Sequence, residues 1–523
     1  MDSFSSRTIG LLIGSVLVLF VLQKAVSLRR LLAGVGYHPG SRTILSPRTI
    51  LGTLLPSIPG VNLNRKHAFD NKFSWFEHYG WDITAALTIF PEEININVAN
   101  AAAIKEITNS RARFPKPVAV YKTLSLFGSN IVASEGELWK KYRKITSPAF
   151  NDRNNELVWD ETVRIMMGLF DSVWIDQDVV TVDHCIPEIT LPIALFVIGV
   201  AGFGRRISWQ DDVVVPPGHK LTFKEALSGV SAGIVTKLLC PDWLMGITEK
   251  TRKVKLAFEE LDQYMLEMIN ARRNAEKKEE RYDLFSSLLD ANDSPDYGQD
   301  PLTERELIGN IFIFLLAGHE TTAHTLAFTF GLLAFHQEEQ EILYQHIKSI
   351  IPDGRIPTYE EMPLFTQSLA VFYETLRLFT PATIPKISAE DTTLVAEDAE
   401  GDTKAIPIPR GTLVTINLVA LHHNPRYWKD PHEFRPSRFR ENWPKDAFLP
   451  FSAGARACIG RKFFETEGIA ILTMLVSRYK ITLKDEPQFA GETMEEKKAR
   501  AFTTKIGITL APVRMPLVFT RRV

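Results

Sequence analysis

Two stretches of this chain carry side chains that could do chemistry. The first is FSAGARACIG, Phe451 to Gly460, where Cys458 stands directly before a helical pattern. A thiol at a helix N-terminus meets backbone N–H groups and the positive end of the helix dipole, which lower its pKa and favour the thiolate. Gly454 permits a turn with positive φ, and Gly460 keeps a Cβ away from whatever the sulfur binds. Arg456, two residues ahead, is a fixed cation suited to a carboxylate on a ligand. A lone cysteine is most often an inert buried hydrophobe. As a ligand, one thiolate with no C-x-x-C partner makes a poor zinc site, whereas a planar metal cofactor with a single axial thiolate needs no second cysteine.

The second stretch is AGHETTAH, Ala317 to His324. It looks like the zinc-protease pattern H-E-x-x-H, but Ala323 holds the position where the second histidine belongs, and His324 comes one residue late. Five helical steps leave the two rings about 140° apart, too splayed to share one ion. A zinc hydrolase therefore fails on spacing. What remains is an acid, Glu320, with Thr321 and Thr322 in mid-helix. Without the cysteine they read as ordinary helix-facing hydroxyls.

The elements that must position these groups are mostly helical. LIGNIFIFLLAGHETTAHTLAFTFGLLAF is apolar almost all round, as expected of a helix crossing a protein interior, and Thr303 with Glu306 forms a capping box at its start. The acid and histidines at its centre argue against a membrane span. PLFTQSLAVFYETLRL is a second amphipathic helix ending before Pro381, and a third runs from about Gly460 to Tyr479. Short β-like pieces, TLVAED and IPIPRGTLVTINLVALH, separate them, followed by a proline-punctuated coil from Asn424 to Pro450. GYHPG at Gly36–Gly40 reads as a hinge and SPDYGQDP at Ser294–Pro301 as an exposed connector.

The chain has 523 residues, 45% hydrophobic and 23% charged, with a formal net charge of −2, which argues against binding nucleic acid by bulk charge. Three scattered cysteines, Cys185, Cys240 and Cys458, make no disulfide framework and suit a reducing compartment. The N-terminus differs from the rest. IGLLIGSVLVLFVL, Ile9 to Leu22, is uncharged, and extended to Val26 it covers about 27 Å, near the ~30 Å of a bilayer core, with Lys24 able to snorkel. No small-x-small cleavage site follows; the basic LRRLLAG does. Lys24, Arg29 and Arg30 outweigh Arg7, which leaves the bulk of the chain on the cytosolic side. Residues 1–30 are thus expected to be a signal anchor and 31–523 the catalytic domain. The sequon at Asn292 would then face the cytosol unmodified.

Taken together, the motifs resemble those of the cytochrome P-450 family of heme-thiolate monooxygenases. The decapeptide matches its F-x-x-G-x-R-x-C-x-G pattern at every specified position. E-x-x-R is Glu374 and Arg377, P-x-R-F is Pro436, Arg438 and Phe439, A-G-x-[DE]-T-T spans Ala317 to Thr322, and W-x-x-x-R is Trp139 and Arg143. All five come in the family's order. The resemblance implies a mainly α fold with small β-sheets, preceded by one transmembrane helix. It implies heme b, iron protoporphyrin IX, with Cys458 as axial ligand and Phe451 and Gly460 in its loop. Arg456, Trp139 and Arg143 would hold the propionates. Lys386 stands where many relatives carry arginine and would take the same role. Thr321 would hydrogen-bond the dioxygen and Glu320 relay protons, with the helix opening at Ala317 and Gly318 to make room. Glu374, Arg377 and Arg438 would brace the cysteine loop.

The chain carries no dinucleotide fingerprint or flavin domain, so the resemblance implies NADPH electrons delivered by a separate flavoprotein reductase at the endoplasmic reticulum membrane. Lys140, Lys141, Lys144, Arg461 and Lys462 could form its docking patch. Ile313, Phe314 and Ala382–Ile384 would line an apolar pocket, and CPDWLM at Cys240–Met245 has the look of a loop dipping into lipid. The expected protein is a monomer acting on a lipophilic small molecule, by analogy with fungal members a terpenoid of secondary metabolism. The alternative is a heme-thiolate isomerase or dehydratase that needs no reductase, against which the acid–threonine pair speaks. A non-enzymatic heme carrier would have no use for that pair.

Overall fold

The computed structural model describes residues 2–64, 66–175, 177–204, 209, 214–274, 283–293, 301–398 and 401–522. The connector at 294–300 and residues 275–280, the end of the strongly charged stretch Thr251–Glu280, lie outside them. The chain divides into two compact units. One comprises residues 1–117, 382–433 and 444–457, the other 118–381, 434–443 and 458–523.

The first unit is built on a five-stranded mixed sheet in the order Arg42–Leu45, Ile83–Phe90, Glu93–Val98, Leu413–Ile416, Ile384–Ile387. Ile83–Phe90 and Glu93–Val98 form an antiparallel hairpin, with Ala85 opposite Ile96 and Leu87 opposite Ile94. Leu413–Ile416 joins it in parallel and Ile384–Ile387 antiparallel beyond that. The β-like pieces of the sequence thus split among three strands, the last of which runs on into the short helix Leu418–Leu421. A separate hairpin pairs Thr392–Glu397 with Thr403–Ile408.

At the N-terminus a continuous helix runs from Asp2 to Gly34, and from Thr8 onward it is long and apolar enough to cross a membrane, its apolar window wholly exposed. Lys24 does not snorkel freely: its Nζ lies 2.7 Å from Glu92 in the turn of the hairpin, and the Phe20 ring stacks on Phe90 at 5.9 Å. This contact fixes where the free part of the helix ends, a few residues earlier than the apolar run suggested.

The second unit is helical. Its centre is the helix Glu304–Phe335, hereafter the central helix, packed against the helices Leu191–Val197, Thr366–Leu378 and Arg461–Arg478 and the strand Tyr479–Leu483. Buried nearly all round, it is the interior element its composition called for. The capping box is present: Thr303 Oγ1 accepts from the Glu306 N–H and Glu306 Oε2 from the Thr303 N–H. The threonine hydroxyls inside it satisfy themselves one turn back, Thr321 on the Ala317 carbonyl at 2.7 Å, Thr325 on Thr321 and Thr329 on Thr325, both at 2.8 Å. Two small sheets complete the unit: Val179–Val182, Leu517–Arg521 and Tyr479–Leu483, and the hairpin Thr504–Ile506 with Leu510–Pro512. Asn292, the sequon residue, is buried, and its Oδ1 accepts the Leu302 N–H.

Candidate functional site

The site residues distribute over the two units. In the first, Phe451 and Arg456 are half-buried on the turn that leads to the cysteine, and Lys386 is buried on its strand opposite Val414. The turn is bent by Ser452 (φ 62°) and Gly454 (φ 66°). A Cβ on Gly454 would stand 2.9 Å from the Thr108 carbonyl oxygen, so glycine answers both conformation and space.

In the second unit Cys458 precedes the helix Arg461–Arg478, here the cysteine helix. Arg143, on the helix Gly136–Thr146, lies close enough to Cys458 that each shifts the other's titration; Trp139, one turn earlier on that helix, is buried. Burial pushes the Cys458 thiol up, outweighing the Gly460 N–H and the cations Arg143 and Arg461, which pull it down. The low thiol pKa expected from the helix N-terminus is therefore not what the protein alone supplies; a coordinated metal's own charge would have to deprotonate it. Cys185 makes the contrast, a fully buried thiol raised by burial and by Glu188, with no cation among its causes.

Cys458 also shows a combination that a packed cysteine does not. It is exposed, yet burial among neighbouring protein atoms is the strongest influence on its thiol, so it faces a hollow. On the central helix one stripe is likewise left uncovered. Ala317 is exposed and Thr321 and His324 half-buried, at i, i+4 and i+7, while Leu316, His319, Thr322, Ala323 and Thr325 are buried. Phe150 links the two places: a Cβ on Gly460 would lie 3.7 Å from its ring, and the ring packs edge-on against Phe314 at 5.6 Å, one turn before Ala317. A buried thiol with cations at hand and a bare helix stripe in the same unit fit a flat cofactor held through sulfur.

Several expectations change here. The central helix is unbroken through Ala317 and Gly318, and Thr321 spends its hydroxyl on its own helix. Gly318 is small for another reason, since a Cβ there would meet Ile198 Cδ1 at 2.9 Å, on the π-helical turn Ile198–Gly202. Ile313 and Phe314 are buried in packing, so the accessible wall on this helix is Ala317–Thr321–His324. The proposed basic patch is partly neutralised: Lys140 pairs with Glu137, Lys141 with Glu306, and Arg461 with Glu465. Neither histidine of the AGHETTAH stretch is placed to share an ion. His319 Nδ1 bonds the Leu315 carbonyl, and His324 Nδ1 lies 2.7 Å from Thr509 Oγ1; burial lowers both pKa values to about 4.

Glu320 is largely enclosed, and burial raises its pKa. Ser231 on the helix Phe223–Leu239 is the one group easing it, although its hydroxyl stays outside hydrogen-bond geometry. A carboxyl whose pKa is raised by burial holds its proton more readily, which suits the relay assigned to it. Glu374 is fully buried. Its Oε2 accepts from Arg377 Nε at 2.7 Å, and its Oε1 from Arg377 Nη2, Arg438 Nε and the Arg435 N–H at 2.8, 3.0 and 2.9 Å.

One group escaped the sequence. Glu467 on the cysteine helix is fully buried, its Oε1 makes no hydrogen bond, and its Oε2 is 3.5 Å from Thr322 Oγ1. The Thr322 hydroxyl proton is already given to the Gly318 carbonyl at 2.9 Å. The same hydroxyl can instead turn that proton to Glu467 Oε2, which would ease the acid, but burial is the larger influence and raises the Glu467 pKa well above its ordinary value. A glutamate among PheGluThrGluGly looks like a solvent-facing helix residue; nothing local marks it as buried.

A mainly helical protein with a cation-flanked thiol before one helix and an acid–threonine pair on another has the features of a heme-thiolate enzyme. The family description Cytochrome P450 matches residues 67–505. "Cytochrome P450 monooxygenase 124" of Postia placenta is 52% identical over 512 residues, 97% of this chain and 98% of that one. "Cytochrome P450 monooxygenase ORF6" of Penicillium roqueforti is 28% identical over 98% and 97% of the two chains. "Cyclooctat-9-en-7-ol 5-monooxygenase" of Streptomyces melanosporofaciens is 30% identical over 72% and 78%. The crystal structure of the cytochrome P450DA heme domain shares the fold, with a TM-score of 0.73 at 22% identity over 92% of this chain and 99% of that one. This chain belongs to the cytochrome P450 family and is a P450 monooxygenase.

Proposed function

We propose that the chain is a membrane-anchored monooxygenase that takes NADPH electrons from a separate flavoprotein reductase. It hydroxylates or epoxidises a lipophilic small molecule, and we assign terpenoids of secondary metabolism as the substrate class. The observation that carries this reading is the bare stripe Ala317–Thr321–His324 with Glu320 beside it, in the same unit as the half-enclosed Cys458. Cys458 would bind the heme iron, and Arg143, Trp139, Arg456 and Lys386 its propionates, with Phe451 and Gly460 shaping the loop. Bound there, the heme supplies the activation of dioxygen. Thr321 holds a hydroxyl at the stripe, and to donate it forward it must release the Ala317 carbonyl. Glu320, poised by burial to hold or give a proton, resupplies it.

Thr321→Ala tests the relay. NADPH consumption continues in the variant while product per NADPH falls about tenfold or more, within the ~10²–10⁴ that a positioned proton donor can contribute. Peroxide makes up the difference. Unchanged coupling, measured as product against NADPH and peroxide, removes Thr321 from that role. The substrate itself is sought by feeding terpenoid and lipid panels to membranes holding the protein and reductase, with products read by mass spectrometry.

We assign residues 1–30 as the anchor and 31–523 as the catalytic domain, cytosolic at the endoplasmic reticulum membrane. Ahead of the Lys24–Glu92 pair, residues 8–23 reach about 24 Å as a helix, a length that a locally thinned bilayer accommodates. A second apolar surface supports the same orientation. Trp243 is 78% exposed in the loop after the helix Phe223–Leu239, and Val235 on that helix and Ile247 after the loop are exposed as well. Deleting residues 1–30 should move the larger share of the protein from the membrane pellet to the supernatant in salt-washed fractions, a remainder staying through the Trp243 surface. Complete retention shows that the anchor is not the N-terminal helix.

A further inference from the structure

The cysteine helix opens on a charge that is held from two sides. Arg461 is its first residue, directly after Gly460, whose N–H bonds the Cys458 sulfur. Arg461 Nε donates to Glu465 Oε1 at 2.7 Å, one turn along the same helix, and its Nη2 to the Tyr373 hydroxyl, also at 2.7 Å. That hydroxyl in turn donates to the same Glu465 oxygen at 2.5 Å. A cation, an anion and a phenol thus close a ring of charge-assisted hydrogen bonds, the phenol accepting from the first and giving to the second.

An exposed i,i+4 pair by itself would hold a guanidinium loosely, because its long stem keeps many rotamers. Tyr373 changes that. It reaches the pair from the helix Thr366–Leu378, across 88 positions, and is only 6% exposed. Phe439 packs edge-on against its ring at 5.5 Å and Trp443 at 6.4 Å. Burial and the charge of Glu465 raise its pKa, so the phenol keeps the proton that it donates. The Glu465 side chain is 12% exposed and that of Arg461 51%. The anchors are enclosed while the cation they hold stands half in water.

The two charges bear on position 458 in opposite senses. Burial is the largest influence on that thiol, but Arg461 favours an anion there and Glu465 opposes one. Once the sulfur carries a metal, the same fields reach the metal: a fixed cation favours an added electron and a fixed anion resists it. The balance depends on where each charge stands, and the hydroxyl of Tyr373 settles where the guanidinium stands.

We infer that Tyr373 and Glu465 position the Arg461 guanidinium beside the cysteine loop, and that this fixed pair of opposite charges tunes how readily the heme iron takes an electron. All three are positioning residues, since none needs to touch heme or substrate. The inference rests on Cys458 binding the heme iron as proposed above, and deepens it by naming side chains that tune the bound group.

The test is the midpoint reduction potential of the full-length heme-loaded protein, read from the heme absorption bands against mediator dyes at fixed pH. No reductase is present, so docking does not enter. Arg461→Gln should lower the potential and Glu465→Gln raise it, each by about tenfold in the reduction equilibrium, or about 59 mV for one electron. The double variant Arg461→Gln/Glu465→Gln should return to within about twofold of the parent. Tyr373→Phe keeps the ring and loses the hydroxyl; it should move about threefold in the sense of Arg461→Gln, as the freed guanidinium turns to water. A brace with no electrostatic role would shift both charge variants in the same direction or leave both at the parent value, and either result overturns the inference. A Tyr373→Phe protein at the parent potential overturns the positioning by the hydroxyl. The reduced, carbon-monoxide-treated parent separates this failure from that of the reading beneath it. Without a red-shifted band Cys458 is not the ligand and that reading falls; with the band present, unmoved potentials condemn the triad alone.

Discussion

Glu374→Ala should cost about 3–5 kcal/mol of stability, because it removes one partner of a buried ion cluster and strands the others. Glu374 and Arg377 are both 0% exposed and Arg438 6%. Glu374 accepts four hydrogen bonds, three from guanidinium nitrogens and one from the Arg435 N–H. Deleting it leaves two guanidinium groups facing each other out of water, and neither can neutralise by losing a proton as a lysine would. Set against the ~5–15 kcal/mol by which a domain is stable, such a loss should show as a sharp fall in soluble yield and a lower unfolding midpoint in denaturant. Glu374→Gln, which keeps the shape and one acceptor oxygen but loses the charge and sets an NH2 donor against an N–H donor, should fall between the parent and the alanine protein. A Glu374→Ala protein within about 1 kcal/mol of the parent would mean that water or another anion reaches the cluster, and the brace would have to be sought elsewhere.

The contrast between this cluster and Glu467 shows what a sequence can and cannot say. Glu374 and Arg377 sit three apart on a helix, so their pairing is a local matter and the spacing announces it. The capping box at Thr303 and Glu306 and the apolar circumference of the central helix are local in the same sense, and both were legible. The cysteine decapeptide was legible because it concentrates a turn, a cation and a ligand within ten residues. What could not be read depends on partners far along the chain. Glu467 finds Thr322 across 145 residues, His324 finds Thr509 across 185, and no periodicity encodes either.

Gly318 teaches a related lesson. Its smallness looked like room left for a small ligand, and the structure spends it on the approach of Ile198. Lys24 likewise read as a snorkelling cation until Glu92, in a hairpin sixty-eight positions away, took its charge. In each case the residue type was right for two uses, and only the packing chooses between them.

Cys458→Ser should abolish the thiolate character of the site, and this is the largest functional loss expected. Sulfur is soft, polarisable and deprotonated once a metal binds it; a serine oxygen is hard, and its hydroxyl does not ionise under the same pull. The surroundings add to this. Arg143 and Arg461 lie near enough to position 458 to favour an anion there. In the serine protein they would face a neutral hydroxyl, so iron would be held weakly or through another ligand. The reduced, carbon-monoxide-treated protein should therefore lose the red-shifted band that marks thiolate ligation. Product formation should fall by more than the ~10–100-fold typical of residues one shell further out. Thermal unfolding followed in parallel separates loss of the ligand from loss of the fold, since serine is nearly isosteric and the 0%-exposed core of the cysteine helix, Ile471 and Leu472 among it, is untouched. A serine protein that kept both the band and the turnover would show that the iron takes its axial ligand from some other residue, and the hollow beside Cys458 would then need a different occupant.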